Sequence, residues 1–352
     1  MSSPKEIDYL IVGQGLAGSC LAIQLIQRGK SVLVIDQPEQ NRASSIAAGL
    51  FNPVTGKMMT KTWRADELFP YLNKFYSESE KLLQSKFYYP FPLYRPFVSV
   101  EEQNEWMGKS AEPEMMDYID RVFTSSTFSN EVNDPFGGLL LKGCGYVDVP
   151  LFMKSISAFL SRTNSLRIGH FDENQVEFLD DKVRYKEWVV RKIIFCNGTG
   201  SLQNKFFKTI PIRPLKGETL LVQLDSTPER IYNRGVYVVP SLATELYKVG
   251  ATYSTKDKSE GVTIEGRTEL LEKLNALFKI PFTEQKQDWG FRPTTPDRRP
   301  ILGSHLAHPT LVIFNGLGTK GVSLAPFFSG QLADWLEGVA EIDKLVAIAR
   351  YY

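Results

Sequence analysis

The stretch DYLIVGQGLAGSCLAIQLIQRGKSVLVID, residues 8–36, decides the fold. The apolar run Ile7 to Val12 predicts a buried strand that ends at Gly13-Gln14-Gly15-Leu16-Ala17-Gly18, after which Leu21, Leu25 and Ile26 recur at helical spacing. Gly29 stops that helix, Ser31 to Ile35 predicts a second buried strand, and Asp36 stands at its end. Strand, glycine turn, helix, strand and acid make a βαβ unit. The glycine spacing alone marks only a tight turn, but between this strand and this helix, and answered by Asp36, it predicts an ADP-binding site. Gly13 allows the turn, Gly15 lets backbone approach a pyrophosphate, and Gly18 lets helix and strand pack closely. The helix N-terminus, with Leu16 and Ala17 in its first turn, offers free N–H groups and positive potential. Asp36 is expected to accept the ribose hydroxyls, and an acid there makes NADP the least suited dinucleotide.

Around this unit the chain has 352 residues, room for two or three domains, with 43% apolar and 23% charged residues, ordinary values for a globular enzyme. The 41 basic and 40 acidic residues leave a net charge of +1, so no global field announces nucleic acid or an anionic membrane. Cys20, Cys144 and Cys196 form no CxxC pair and no zinc set with the histidines, and are expected to be buried thiols. Glu6 and Asp8 stand where a signal peptide carries basic residues, and no stretch reaches the roughly 20 apolar residues of a membrane span. The expectation is a cytoplasmic, reduced protein without membrane partners.

Further along, Asn41 to Lys61 reads as a long ordered loop rich in small residues, and Asp66 is placed to cap a helix running to about Phe87. Composition shifts at Tyr88 to Gly145, which is rich in Pro and aromatics. Asp148 and Pro150 open another helix, and a small meander is expected at Val176–Phe178 and Val183–Tyr185. The strand Val189–Cys196 ends in a second glycine turn, Asn197-Gly198. Runs at Thr219–Leu224, Val236–Val239 and Leu246–Ala251 suit an antiparallel wall over a ligand, followed by an amphipathic helix Arg267–Lys279. Finally Leu311–Phe314 leads through Gly316 to Gly321 into a helix from about Leu324 to Gly338. The loop containing Ser44, Ser45, Ala48, Gly49 and Leu50, and the turn containing Gly316, Gly318, Thr319, Lys320 and Gly321, supply backbone donors for a ligand longer than ADP. That favours FAD over NAD.

The glycine fingerprint with Asp36, the Ser45-to-Leu50 loop, Tyr237 to Pro240 followed by Val249 to Thr252, Gly290-Phe291-Arg292-Pro293 with Thr295-Pro296-Asp297, Pro300 to Gly303, and the terminal turn before Ala325-Pro326 occur in order. Together they resemble the D-amino acid oxidase/glycine oxidase superfamily of FAD-dependent amine oxidases over nearly the whole chain. The resemblance implies an α/β fold of glutathione-reductase type, with a discontinuous Rossmann-like FAD-binding domain (1–75, 150–212 and 292–352) and a β-rich substrate domain (76–149 and 213–291). It also implies that Arg292 holds the substrate carboxylate and that Tyr237 lies over the same site; a guanidinium fork and a phenol donor suit that task. Tyr232 is spaced one residue too far from Tyr237 for the family pattern. Lys320 is unusual in its turn, either a cation beside the flavin pyrimidine or a solvated surface lysine.

No Cys follows Cys196 and no His precedes His170, so the residues that attach flavin covalently in some relatives are missing and FAD is expected to be non-covalent. His305 and His308 are expected on a surface turn. The activity implied is oxidation of the C–N bond of an amino acid or N-substituted glycine, a small-molecule amine, with electrons passing to oxygen or another acceptor. Two alternatives stay open. The terminal turn is also similar to that of the oxidase that acts on a carboxymethylaminomethyl group of the tRNA wobble uridine, and an NAD-dependent dehydrogenase needs no flavin at all.

Overall fold

A computed structural model describes residues 4–38, 42–55, 60–241 and 246–352. The opening unit forms as strand β1 (Lys5–Val12), helix α1 (Leu16–Gln27) and strand β2 (Val32–Asp36). β1 pairs in parallel with β2 and with the strand Trp188–Phe195, which in turn pairs in parallel with Leu311–Asn315. Alternate residues of β1 and β2 enter different cores. Tyr9, Ile11, Val32 and Val34 pack with α1 and the helix Gly321–Leu336 on one face, and Leu10, Val12, Leu33 and Ile35 pack with Phe195 and Phe207 on the other. Burial on both faces is why these strands read as continuous apolar runs.

Register decides where the turns go. Val12 is level with Phe195 and Ile35, and Phe195 with Ile313. The turns after these strands therefore leave the same carboxyl edge, where ligands of open α/β sheets bind. Three glycine segments far apart in sequence meet there.

The second large sheet has eight strands. From one edge they run Phe282–Thr294, Arg213–Leu224, Leu246–Gly250, Val236–Ser241, Ile231–Arg234, Leu93–Pro96, Gly138–Leu141 and Ile119–Phe123. All neighbours are antiparallel except Ile231–Arg234 with Leu93–Pro96. The helix Ile264–Leu277, opened by the Thr263 side chain, buries Leu270 and Leu274 with Leu220, Val238 and Val249 on one face. That leaves the other face to a cavity.

Several elements differ from their sequence reading. The expected loop Asn41–Lys61 contains a short helix, Ala43–Ile46, and short strands Leu50–Phe51, Val54–Thr55 and Thr60–Lys61; Asn41 and residues 56–59 lie outside the described residues. Asp66 does not cap its helix, which runs Ala65–Leu83 behind Arg64 in a left-handed conformation. Its carboxylate is in the first turn, bonded instead to Lys61 (2.6 Å) and the Tyr118 hydroxyl. The terminal helix starts at Gly321, three residues before its expected start at Leu324, because Val322 and Ser323 are buried in its first turn and the Leu324 amide already donates to the Lys320 carbonyl at 2.9 Å. Asp148 does cap the helix Val149–Arg162, its carboxylate accepting from the Leu151 amide at 3.0 Å.

Candidate functional site

Between the carboxyl edge of the parallel sheet and the open face of the antiparallel one lies a cavity of about 2090 Å³. A drug-sized ligand fills roughly 300–1000 Å³, so this cavity has room for a dinucleotide and a substrate together. Gly13, Gly15, Leu16, Ala17, Asp36, Ser44, Ala48, Gly49, Leu50, Asn197, Gly198, Gly318, Thr319, Lys320, Gly321, Tyr237 and Arg292 all line it. Gly18, Ser45 and Gly316 do not.

At one end Asp36 is buried, accepting from the Gln14 amide at 2.8 Å and pairing with Arg42 at 3.0 Å. Arg42 was not legible as a site residue, since nothing in its spacing points to Asp36. The Ser44 hydroxyl accepts from the Leu16 amide at 3.1 Å, so a separate segment caps α1 and leaves the Ala17 and Gly18 amides without intrahelical acceptors. Asn315 ties two of the glycine turns together, donating to the Gly198 carbonyl at 2.8 Å and accepting from the Gly316 amide at 2.8 Å. Beside them the Asn197 Oδ1 is buried without a hydrogen-bond partner. Free amides at a helix N-terminus, a loop of mostly small residues and an orphaned amide oxygen fit a bound dinucleotide.

Lys320 is not a solvated surface lysine. Its ammonium donates to Thr55 Oγ1 at 2.9 Å and Thr62 Oγ1 at 3.1 Å, and burial together with the nearby Arg298 charge lowers its pKa to about 8. Lys248, another side chain the sequence did not single out, donates to the Ile46 and Ala47 carbonyls at 3.3 and 2.9 Å and pins the small-residue loop to the antiparallel sheet.

At the other end, glycines form a floor under two larger side chains. A Cβ on Gly217 would lie 2.1 Å from the Arg292 guanidinium, and one on Gly250 would lie 2.5 Å from the Tyr237 hydroxyl. Arg292 has no ion-pair partner among the described residues; its only bond is a long one, 3.4 Å, to the Thr252 carbonyl, and the Tyr253 ring stands 5.2 Å away. The Tyr237 hydroxyl makes no hydrogen bond among the described residues. Burial pushes its pKa up to about 12, against the pull of the Arg292 charge, so the phenol keeps its proton at neutral pH. Tyr232 faces the opposite side of the sheet, donating to Glu131 at 2.6 Å within the core.

Among the described residues, Cys196 and His170 are the cysteine and histidine that line the cavity, and both lie at its Gly13 and Asp36 end. The Cys196 carbonyl lies against Gly13, and Gly169 donates to the Asp36 carbonyl at 2.9 Å. Burial raises the Cys196 thiol well above its ordinary range, and all three cysteines are free and buried. His305 and His308 stack on each other at 5.2 Å on a turn away from the cavity. Flavin is therefore expected to be released by acid: after precipitation the yellow colour should stay in the supernatant, and colour in the pellet would refute non-covalent binding.

A glycine-turn edge facing a cavity of this size defines a dinucleotide-dependent enzyme of the α/β class. The family model DAO, FAD dependent oxidoreductase, matches residues 8–335, and the chain belongs to that family. This decides between FAD and NAD in favour of FAD. The chain is 27% identical over 350 residues to the bifunctional protein ThiO/ThiG of Nostoc sp., covering 93% of this chain and 52% of that one. The chain thus spans about half the length of that relative. It is 23% identical over 356 residues to the glycine oxidase of Bacillus subtilis, covering 94% and 93% of the two chains. Among solved structures, the iminodiacetate oxidase of Chelativorans sp. BNC1 superimposes with a TM-score of 0.79 at 20% identity, covering 96% and 98%. No helix among the described residues is long and apolar enough to cross a membrane, and no group of side chains there could hold a metal ion.

Proposed function

We propose that this FAD-dependent oxidoreductase oxidises the C–N bond of an amino acid or N-substituted glycine, with Arg292 binding the carboxylate and Tyr237 donating to the substrate beside it. The observation that carries this reading is Arg292 itself: a guanidinium on the wall opposite the glycine turns, resting on Gly217 and without a carboxylate partner among the described residues. Its fork matches a carboxylate bidentately, and the Tyr237 phenol adds a donor that stays neutral. Together they fix the substrate so that its α-carbon faces the cofactor, and the cavity wall excludes water.

Gly13, Gly15, Leu16 and Ala17 are assigned to the pyrophosphate, Asp36 to the adenosine ribose, and Ser44, Ala48, Gly49, Leu50, Asn197, Gly198 and Gly318 to Gly321 to the remaining length of FAD. Bound FAD supplies the acceptor for the hydride that leaves the α-carbon. A neutral amine needs no protein base for that transfer, so the proton chemistry asked of this chain is limited to keeping the Tyr237 phenol protonated. Residues 1–75, 150–212 and 292–352 are assigned to the FAD-binding domain, and 76–149 and 213–291 to the substrate domain. In support, every strand of the sheet that holds β1 and β2 falls in the first set, and the strands of the second large sheet fall in the second apart from Arg292 to Thr294 of the strand Phe282–Thr294.

The test is anaerobic bleaching of the flavin by a panel of D- and L-amino acids, N-substituted glycines, matched amines without a carboxylate, and hypomodified tRNA. A carboxylate-bearing amine is expected to bleach the flavin at least ten times faster than its matched amine, since a charged hydrogen bond is worth about 1.5–3 kcal/mol. Equal rates across the matched pairs would overturn the reading.

A further inference from the structure

The antiparallel wall carries a second guanidinium that the proposed reaction leaves unused. Arg95 lies on the strand Leu93–Pro96 and lines the same cavity as Arg292. Tyr232 is level with Tyr94, and Asn233 with Tyr237. Arg95, one residue beyond Tyr94, is therefore level with Asn233 and Tyr237 on neighbouring strands, roughly 10 Å from Tyr237 at about 4.8 Å per strand. Alternation turns Tyr94 and Tyr232 into the core behind the sheet, while Arg95, Asn233 and Tyr237 face the cavity.

Arg95 is half-buried, and no carboxylate among the described residues pairs with it; its Nε is buried without any hydrogen-bond partner. Its charged neighbours worsen the imbalance. Arg234, also on the cavity wall, is the nearby cation, and the acid that stands near it among the described residues, Glu102, is already engaged. One Glu102 oxygen accepts from Arg234 at 2.7 Å and the other from the Val98 amide at 2.9 Å. The three side chains leave one positive charge over. Burial and the Arg234 charge lower the Arg95 pKa to about 10, which still leaves it a cation at neutral pH. A desolvated cation without a counter-charge is unfavourable, and the cavity is the direction from which an anion can reach it.

We infer that Arg95 forms a second anion subsite, so that the substrate carries, beyond the carboxylate held by Arg292, a second carboxylate or phosphate at its far end. This rests on the assignment of Arg292 as the first anchor. It sets the substrate class as an extended amine with two anionic groups rather than a simple amino acid such as glycine, whose lone carboxylate cannot reach both guanidiniums. The sequence carries a faint trace of the pairing, since Tyr94-Arg95-Pro96 repeats the aromatic-Arg-Pro pattern of Phe291-Arg292-Pro293.

The holoenzyme can be titrated with the linear dicarboxylates from succinate to sebacate, each compared with its own monomethyl ester, and with analogues ending in a phosphonate. Binding is read from the flavin absorbance change and from calorimetry. At one chain length the dianion is expected to bind about ten- to a hundredfold tighter than its monoester. Arg95→Leu should bring that ratio close to one, and Arg95→Lys should keep part of it. A phosphonate that exceeds the carboxylate of equal length assigns the second group to a phosphate, as on a nucleotide; the reverse assigns it to a second carboxylate. A ratio near one at every length, or a ratio unchanged in Arg95→Leu, would overturn the subsite. Melting temperature and flavin content on the same samples identify a misfolded variant, in which case the Arg95→Lys ratio decides. Monoester affinity in Arg292→Leu tests the first anchor separately: a failed anchor leaves that affinity unchanged, whereas a failed subsite leaves the dianion ratio unchanged.

Discussion

Replacing Arg292 by Leu is expected to weaken binding of a carboxylate inhibitor by about a hundredfold or more, with flavin content and melting temperature close to those of the parent. The magnitude follows from losing a bidentate pair, each charged hydrogen bond being worth about 1.5–3 kcal/mol. The selectivity follows from what Arg292 does not do in the protein. Among the described residues it makes no ion pair, and its one bond, to the Thr252 carbonyl, is at the 3.4 Å limit. Removing the guanidinium therefore strands no buried carboxylate and opens no network. Arg292→Lys should recover only part of the affinity, because an ammonium over Gly217 offers a point charge in place of a fork. A fold-stabilising role predicts the opposite pattern, with lower melting temperature, lost flavin and normal inhibitor affinity in the surviving holoenzyme. Unchanged inhibitor affinity removes Arg292 from the site.

The glycine-turn end of the cavity was legible from sequence because its constraints are local. Gly13, Gly15 and Gly18 sit within six residues of one another, and the strand before them and Asp36 after them carry the same message. The end proposed for substrate is built differently. Arg95, Tyr237, Gly250, Gly217 and Arg292 come from five strands, and only sheet register makes them neighbours. A single chain shows no register. Gly217 and Gly250 read as ordinary strand glycines until Arg292 and Tyr237 are laid over them. Asp66 illustrates the converse failure. It has the right residue type at a helix start, but Lys61 and Tyr118 take its carboxylate, and the chain enters the helix through left-handed Arg64 instead. Tertiary partners outweighed a local preference worth about 1 kcal/mol.

The fingerprint glycines are expected to separate into two kinds when substituted. Gly15 has an ordinary φ of −74°, and a Cβ there would meet only the Ser44 hydroxyl, at 3.4 Å. The protein itself tolerates a side chain at that position. The missing side chain matters for the cavity, where the γ-carbons of a valine would fill the space that backbone leaves for a pyrophosphate. Gly15→Val should therefore fold with the parent's near-ultraviolet circular dichroism and yet be purified almost colourless, with flavin occupancy lowered at least tenfold. Gly18 is different: a Cβ would lie 1.9 Å from the Gly13 carbonyl oxygen and 3.1 Å from its carbon, so α1 must move away from β1. Overpacking of that kind is unfavourable by roughly 1–3 kcal/mol or more, and Gly18→Ala should lower the melting temperature of the flavin-free protein by several degrees. Only the second variant is destabilised without its cofactor. Flavin-to-protein absorbance ratios and apoprotein melting curves on the pair read both effects. If Gly15→Val retains flavin at the parent's occupancy, the pyrophosphate does not lie against this turn and the cavity is entered from elsewhere.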